Sequence, residues 1–571
     1  MSVTSTNRLC KLIVSEQFGP IVEKVASTLL DRGRLNLRTL EDYAGVPLSQ
    51  IKKSLFILLQ HNLVTFYEVP AGNTFRTYYT LEVQSILDRA NLLSTLSFAK
   101  ERYGSAGLLV AKTLILNGKL KPSDIEYYVE DELKNFEFEE EPIKKSEETI
   151  PFSKKIKRET NVAEGAKQRV PLTLEHVRAA LLKMIQTRFV SANYPKDMET
   201  KLDQVLAEDD KLRQHLGVQS SDAKFKTERA ARDSRKAAAP KVTTIFGLNR
   251  DLADHGAFGK KRANFSEVVE TVDGNTYFSL NFEHIKVMIR NTQIIEYATS
   301  RINQGAGATL RAFVSAVEPK TVGFSTEPSP SCSGLDLQNH YDRSIPLETF
   351  IHNRHSDSSG SHEPNMIFLL GEFLKILAQD EACFLTAVDD RTIGQFHMDY
   401  SQLRTNLGLR VLEEVIKKKF GAASWRVFRI LYFNGLMNES QLAKLAILDH
   451  ANARSRALEL ALHGLIDIQE IPRTALHAPK QTFYLFHVKI ERSLKTILSF
   501  CRWGLGGLLK RRRWELASRA VLLKKLERED VKADQEILSA YDKKELEKLN
   551  RILSYLDLSH KRIADMIVTI E

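Results

Sequence analysis

At 571 residues and 64.9 kDa the chain is too long for one small fold and holds, at roughly 150 residues per domain, material for about four compact units. Hydrophobic residues at 43% and charged residues at 27% lie near the globular average, which excludes wholesale disorder. No apolar run approaches the roughly 20 residues that span a bilayer, and a net charge of +10 permits polyanion partners without the charge density of a histone-like binder.

From 18 to 32 apolar residues fall at helical spacing (Ile21, Val25, Leu29, Leu30), and Gly33 follows where a left-handed cap ends a helix. Residues 37–45 read as a short second helix and 48–62 as a third, carrying Ile51, Leu55, Leu58 and Leu59. LVTFYEV then reads as a strand, Pro70 to Asn73 as a turn, and FRTYYTL as the returning strand. Three helices followed by a β-hairpin is the order of a winged helix, whose third helix can enter a major groove while the hairpin touches phosphates.

The same order returns near the other end, with helices over 425–433, 439–446 and 452–463, the strand LIDIQEI, a turn over 472–480 and the strand TFYLFHV. The two copies align without gaps at an offset of 402 from the third helix into the first strand: His61 with His463, Leu63 with Leu465, Glu68 with Glu470, Pro70 with Pro472. Beyond the turn the offset is 405, so the second wing is longer by three.

Between them, 106–116 and 124–129 resemble first and second helices, and 174–187 with RFVSANY resembles a third helix and strand after a charged insertion. A helix over 281–301, another over 366–379 and the strands CFLTAV and GQFHMDY supply a further unit. The expected fold is mainly α with small β-hairpins: four tandem winged-helix domains followed by a C-terminal helical coiled-coil arm. The expected boundaries are 1–85; 86–200 with a charged insertion at 136–168; a polar linker at 201–275; 276–402 with a loop insertion at 325–364; 403–490; and the arm at 491–571.

In the arm, Leu546, Leu549, Leu553, Leu556, Ile563, Ile567 and Ile570 keep three-and-four spacing, broken at His560, as a candidate helical docking seam. The preceding helix, with Leu516, Val521, Leu522, Leu523 and Leu526, can fold back on it through 528–530; otherwise the seam packs on the fourth domain.

No local motif links a nucleophile, a base or a metal set, so neither catalysis nor a cofactor is expected. Gly305 to Gly307 lacks the third glycine and preceding strand of a dinucleotide fingerprint, and Gly504 to Gly507 lacks the ending of a phosphate loop; both read as loops or caps. His352, His355 and His362 share a loop and could join Cys332 on zinc, but their spacing matches no common pattern. Asp389 and Asp390 sit at a hairpin tip, where aspartates stabilise turns. The four cysteines, Cys10, Cys332, Cys383 and Cys501, form no C-x-x-C pair, which fits a reducing compartment.

The basic residues offer more. Lys52 and Lys53 lie on the first unit's third helix and Arg76 on its wing; Arg454 and Arg456 lie on the fourth unit's third helix, with Arg473 and Lys480 in its wing. Those are places where a winged helix meets phosphates or partners. Lys510, Arg511, Arg512 and Arg513, bracketed by Trp503 and Trp514, form the densest patch, suited to nucleic acid, an acidic partner or an import receptor. The competing reading of every such residue is a solvated helix face.

LCKLIVSEQFGPIVEKVASTLLDRGRLNLRTL and LYFNGLMNESQLAKLAILDHANARSRALELALHGLIDIQEIP, with the unit order, the charged insertion in the second unit, the long polar insertion before the third and the terminal coiled arm, resemble the winged-helix subunit family of RNA polymerase III that anchors its specific initiation heterotrimer. That family is related to the large subunit of transcription factor IIE. The resemblance implies a non-catalytic nuclear subunit that sits on the polymerase clamp, formed by the largest subunit. It further implies partners in a second winged-helix subunit and a small acidic-tailed subunit, and a part in opening promoter DNA at transfer-RNA and 5S ribosomal-RNA genes. No membrane and no small-molecule substrate are expected. The alternative is a free-standing winged-helix regulator that reads a specific DNA sequence, against which stands the lack of a dense basic third helix in either strong copy.

Overall fold

The computed structural model describes residues 2–71, 74–135, 139–140, 170–193, 248–251, 269–321, 328–342, 347–350, 366–388, 394–472, 482–528, 530–531 and 538–571, with single positions at 324 and 345 and scattered ones between 206 and 229. The chain is mainly helical with small antiparallel sheets, and it packs as two compact units, residues 13–285 and residues 286–571 with 1–12. Among the described residues no helix is long and apolar enough to cross a membrane.

In the unit of residues 13–285, the helix Pro20–Arg32 starts at Gly19, whose φ of 88° turns the chain sharply, and ends at Gly33, φ 81°, whose N–H donates to the Leu29 carbonyl. Such angles strain any residue with a Cβ, so both turns call for glycine. Asn36 opens the helix Leu37–Ala44 through a reciprocal capping box with Thr39, which satisfies two otherwise orphaned N–H groups. The third helix, Leu48–Gln60, buries Ile51, Leu55 and Leu58 as one stripe against Pro20–Arg32. The hairpin Val64–Ala71 with Thr74–Leu81 sets Phe66 opposite Tyr79, and the short strand Leu35–Asn36 pairs with the returning strand, which is therefore central.

The next stretch repeats this order. Leu92–Asn117 is bent at Gly104 (φ 71°) and ends at Gly118 (φ 78°), fourteen positions on, the same interval as 19 to 33. Pro122–Asn135 and Leu174–Gln186 follow. The strand Val190–Asn193 pairs with Tyr277–Leu280, and Leu120 bridges Phe278 on its other side. Residues 277–280, expected at the head of the third unit, thus pair with a strand of the stretch expected as the second. Burial favours the pairing: Val190 faces Leu280 across the pair with both inside, and Phe278 is fully enclosed.

These two copies are joined at the end of Leu48–Gln60. Lys119 donates from Nζ to the Leu59 carbonyl at 3.0 Å and from its backbone N–H to the Gln60 carbonyl at 3.0 Å. The ammonium sits at the negative end of the helix dipole. Beside it the His61 ring meets Phe18 at 4.8 Å between centroids. Burial, then the charges of Arg89 and Lys119, push the His61 pKa from 6.5 down to about 3.

In the other unit, Gln304–Val317 and Met366–Gln379 enclose Phe313, Phe373 and Phe384. Cys332–Ser333, Gln395–His397 and Thr386–Ala387 form a sheet with the returning strand again central. The glycines of 305–307, read as a loop or cap, lie inside this first helix, where a Cβ on Gly305 would stand 2.8 Å from the Phe373 ring; they admit close packing rather than a ligand. Gly504, Gly506 and Gly507 likewise fall within the helix Ile490–Ser518.

Tyr400–Asn434 is bent at Gly421 (φ 88°) and followed by Met437–Asn438, Glu439–Ala446, His450–Leu462 and the hairpin Asp467–Pro472 with Thr482–His487. The offset of 402 reaches the backbone itself. Gly421 and Gly435 repeat Gly19 and Gly33, the capping box of Asn438 repeats that of Asn36, and Ile447 adopts the left-handed conformation of Gly45.

Finally, Ala540–Ile570 runs antiparallel to Ile490–Ser518 and Ala520–Leu526. Lys525 meets Asp542 at 2.9 Å, Arg519 meets Glu545 at 3.4 Å, Arg512 meets Asp557 at 3.7 Å and Arg502 meets Glu571 at 2.7 Å.

Two outcomes follow from the joint at Lys119. Gly118→Ala would bring a Cβ within 2.4 Å of the Gln60 carbonyl at a positive φ, and should lower the stability of the chain by about 1–3 kcal/mol, read as an earlier thermal or urea midpoint. Between pH 6.5 and about 3 the unfolded chain protonates His61 and the folded chain does not, so this stabilising contribution is complete above pH 6.5 and is lost as pH falls. His61→Phe removes the titration, and its melting temperature should fall less than that of the parent chain between pH 7 and pH 5.

Candidate nucleic-acid interface and docking faces

A third helix that buries one stripe must present the opposite one. In the first copy the outward stripe of Leu48–Gln60 carries Lys52, Lys53 and, one turn on, Phe56, which is 67% exposed. Among the described residues neither lysine pairs with a carboxylate. Arg76 is exposed on the returning strand, opposite Val69. Three unneutralised cations therefore lie on the two elements through which a winged helix approaches a phosphate backbone.

The third helix of the C-terminal copy, His450–Leu462, differs. Arg454 is clamped by Glu439 in a bidentate pair, Nε to Oε2 at 2.8 Å and Nη2 to Oε1 at 2.7 Å, and that hydrogen bonding raises its pKa above the ordinary guanidinium value. Arg456 pairs with Glu459 at 3.1 Å. At the offset of 402, Glu439 stands where the first copy has Leu37, and Arg454 where it has Lys52. One residue at the start of the second helix thus decides whether the cation is spoken for. The same helix exposes Leu458 (42%) and Leu462 (89%), with Leu458 in register with Phe56. Arg473 and Lys480 lie outside the described residues, as do Asp389, Asp390 and the three histidines of the 352–362 loop. Cys332 is buried in the core, and among the described residues no three His, Cys, Asp or Glu side chains gather as a metal set.

The basic run on Ile490–Ser518 splits by helical position. Arg511 lies over the Trp514 ring at 4.4 Å and pairs with Glu515 at 2.6 Å. Glu515 is buried, and hydrogen bonds from Arg519 and Arg511, with their charges, hold its pKa below the ordinary carboxylate value. Arg512 faces Asp557, whereas Lys510 and Arg513 point to solvent. The seam meets this same helix of its own chain. Leu549 and Ile567 are buried, Leu546, Leu553, Leu556 and Ile563 are half-buried, and Ile570 is inside. The exposed apolar side chains of Ala540–Ile570 are instead Tyr541, Tyr555 and Leu558, which the seam spacing did not single out.

Comparison with known proteins agrees along nearly the whole length. Residues 8–69 match the RNA polymerase III subunit RPC82 helix-turn-helix domain, 179–407 the RNA polymerase III subunit RPC82 family, and 412–488 the C-terminal winged-helix domain of POLR3C, together well over half of the chain. DNA-directed RNA polymerase III subunit RPC3 of Rattus norvegicus is 24% identical over 584 residues, that of Bos taurus 25% over 585 and that of Homo sapiens 24% over 585. Each comparison covers 99% of this chain and 97% of the relative. With winged-helix domains at both ends of the match and relatives that span it end to end, the chain belongs to the RPC82/RPC3 family of non-catalytic RNA polymerase III subunits.

Proposed function

We propose that the chain docks the initiation-specific subcomplex of RNA polymerase III on the polymerase clamp, in the nucleus, and aids promoter opening and initiation at transfer-RNA and 5S ribosomal-RNA genes. Its partners in this reading are a second winged-helix subunit, a small acidic-tailed subunit, the largest subunit at the clamp, and promoter DNA. The observation that carries the reading is the character of the third helices. Both expose a large apolar side chain at one register position, Phe56 in the first copy and Leu458 in the fourth, and in the fourth the cations are already paired. A helix that reads bases offers polar and cationic groups to the groove, whereas exposed apolar side chains beside satisfied charges suit burial against protein.

Four winged helices in the order read from the sequence complete this platform, the fourth unit serving protein contacts. The first unit, with Lys52, Lys53 and Arg76 unneutralised, is the one turned toward DNA. The free-standing regulator is set aside by membership of a polymerase subunit family and by the tied arginines of the fourth unit.

Affinity purification of the tagged chain from nuclear extract should recover the many subunits of the polymerase; a lone chain would overturn the reading. The charge reversal Lys52→Glu/Lys53→Glu/Arg76→Glu should leave assembly intact and reduce open-promoter formation several-fold. Leu458→Asp/Leu462→Asp should do the reverse, releasing subunits from a chain that still folds.

A further inference from the structure

We propose that the helix Ile490–Ser518 and the first turns of Ser2–Phe18 together receive an acidic peptide segment of a partner protein, an inference that rests on reading the chain as a docking platform. A cavity of ≈ 200 Å³ opens between them, with Arg8, Arg502, Trp503 and Lys510 in its wall and no carboxylate. Arg502 is held by Glu571 at 2.7 Å and Thr6 at 2.9 Å. Arg8 and Lys510 are exposed and, among the described residues, have no carboxylate partner. The floor is shaped by small residues: a Cβ on Gly506 would press on Leu12 at 3.2 Å, and Gly507 opens onto empty space. The cavity is therefore cationic, walled by one indole, and deep enough for a side chain.

Two features select the ligand class. The first is length. Phe500, Trp503, Gly507, Lys510 and Trp514 follow one another at alternating intervals of three and four, so they share one face of the helix over about 21 Å at 1.5 Å per residue. Phe500, Trp503 and Trp514 are 46%, 60% and 57% exposed. A small anion would use one point of such a stripe; a polymer would use all of it.

The second is the state of the rings. Single-stranded nucleic acid binds by stacking bases on open aromatic faces. Here Phe500 and Trp503 stack on each other at 6.4 Å with planes 22° apart, Lys419 covers Phe500 at 4.2 Å, and Arg511 covers Trp514 at 4.4 Å. Phe500 is thus met by both Trp503 and Lys419, and Trp503 and Trp514 each by one neighbour, which leaves less open ring face for stacked bases than the stripe's length suggests. Carboxylates on Arg8 and Lys510, with an apolar side chain against Trp503, satisfy that arrangement, and the missing acidic groups in the wall supply the charge complementarity.

The test uses the full chain and three fluorescent probes: a twelve-residue Asp/Glu peptide with a central Phe-Leu pair, its Asn/Gln counterpart, and a dT12 oligonucleotide. The acidic peptide should bind in low salt, and Arg8→Glu/Lys510→Glu should weaken it at least about tenfold. Trp503→Ala should weaken it several-fold, while Lys52→Glu/Lys53→Glu leaves it unchanged. Equal binding of the neutral peptide, no binding of the acidic one, unaltered binding by Arg8→Glu/Lys510→Glu, or a loss confined to dT12 would each overturn the inference. Circular dichroism melts check that the exposed-site variants fold. Normal recovery of the polymerase with the tagged parent chain keeps failure of this pocket distinct from failure of the docking reading.

Discussion

Every outward face of the winged-helix copies depends on an inward contact, the ring that precedes a glycine elbow lying against the end of the third helix. Phe18 meets His61 at 4.8 Å and 58°, and Phe420 meets His463 at 4.8 Å and 57°. In the second copy Tyr103 takes the same place, meeting Phe189 at 5.5 Å and exchanging a hydrogen bond with Thr187 through its hydroxyl. Gly19, Gly421 and Gly104 follow these rings at φ of 88°, 88° and 71°. The positive φ lets the chain leave the ring and start the next helix at once. A side chain at that point would strain the backbone by about 1–2 kcal/mol, and a gentler turn would pull the ring off the third helix. The contact fixes how the first and third helices lie together, and so which residues of the third helix are left to face outward.

With the scaffold held constant, the copies diverge where the contact does not reach. Lys52 and Arg454 occupy one position, but Leu37 in one copy and Glu439 in the other give them opposite fates. Phe56 and Leu458 keep an exposed apolar group at another shared position. A buried ring pair tolerates little change, since its cost is paid in packing, whereas an exposed face can trade charge for apolar surface at a few tenths of a kcal/mol. One fold can therefore offer a cationic face and an apolar one without altering its core.

Much of this architecture was legible in the residues. The N-terminal and C-terminal copies carry strong helical periodicity, turn residues and a constant offset, so most of their elements lie within a residue or two of where the pattern puts them; the exception is the helix expected over 425–433, which runs from the bend at Gly421 to Asn434. The elbows were not legible, because a single glycine inside an apolar run looks like a minor interruption; the interval of fourteen from Gly19 to Gly33, Gly104 to Gly118 and Gly421 to Gly435 is the signal that finds them. The pairing of Tyr277–Leu280 with Val190–Asn193 is hidden in the sequence, because a long polar stretch separates the two strands. Charge was the least legible property. Spacing places Arg454 on an exposed face, but only three-dimensional contact shows Glu439 beside it, whereas Glu515 stands four residues after Arg511 on one helix, a pairing that spacing does offer. The seam illustrates the same limit: its period marks an apolar helix face but not its neighbours, and the helix Ala540–Ile570 lies against both Ile490–Ser518 and Tyr400–Asn434 of the same chain.

This pairing of charges bears on what a net +10 can do. Arg502, Arg511, Arg512, Arg519, Arg454 and Arg456 are all engaged by carboxylates, so these cations are locally cancelled and the surplus is carried by others. In the first copy the free cations on the third helix and wing are Lys52, Lys53 and Arg76. Neutralising three phosphates gives a salt slope of about −2.7, on the scale of −0.9 per phosphate, and so only a loose hold on DNA. Such a hold is too weak to choose a site from sequence, yet it suffices to steady a strand that other contacts have already brought near. On the function proposed above, the place of this chain on a promoter is then set by the proteins that bury its apolar faces, with the charges acting after assembly and not before it.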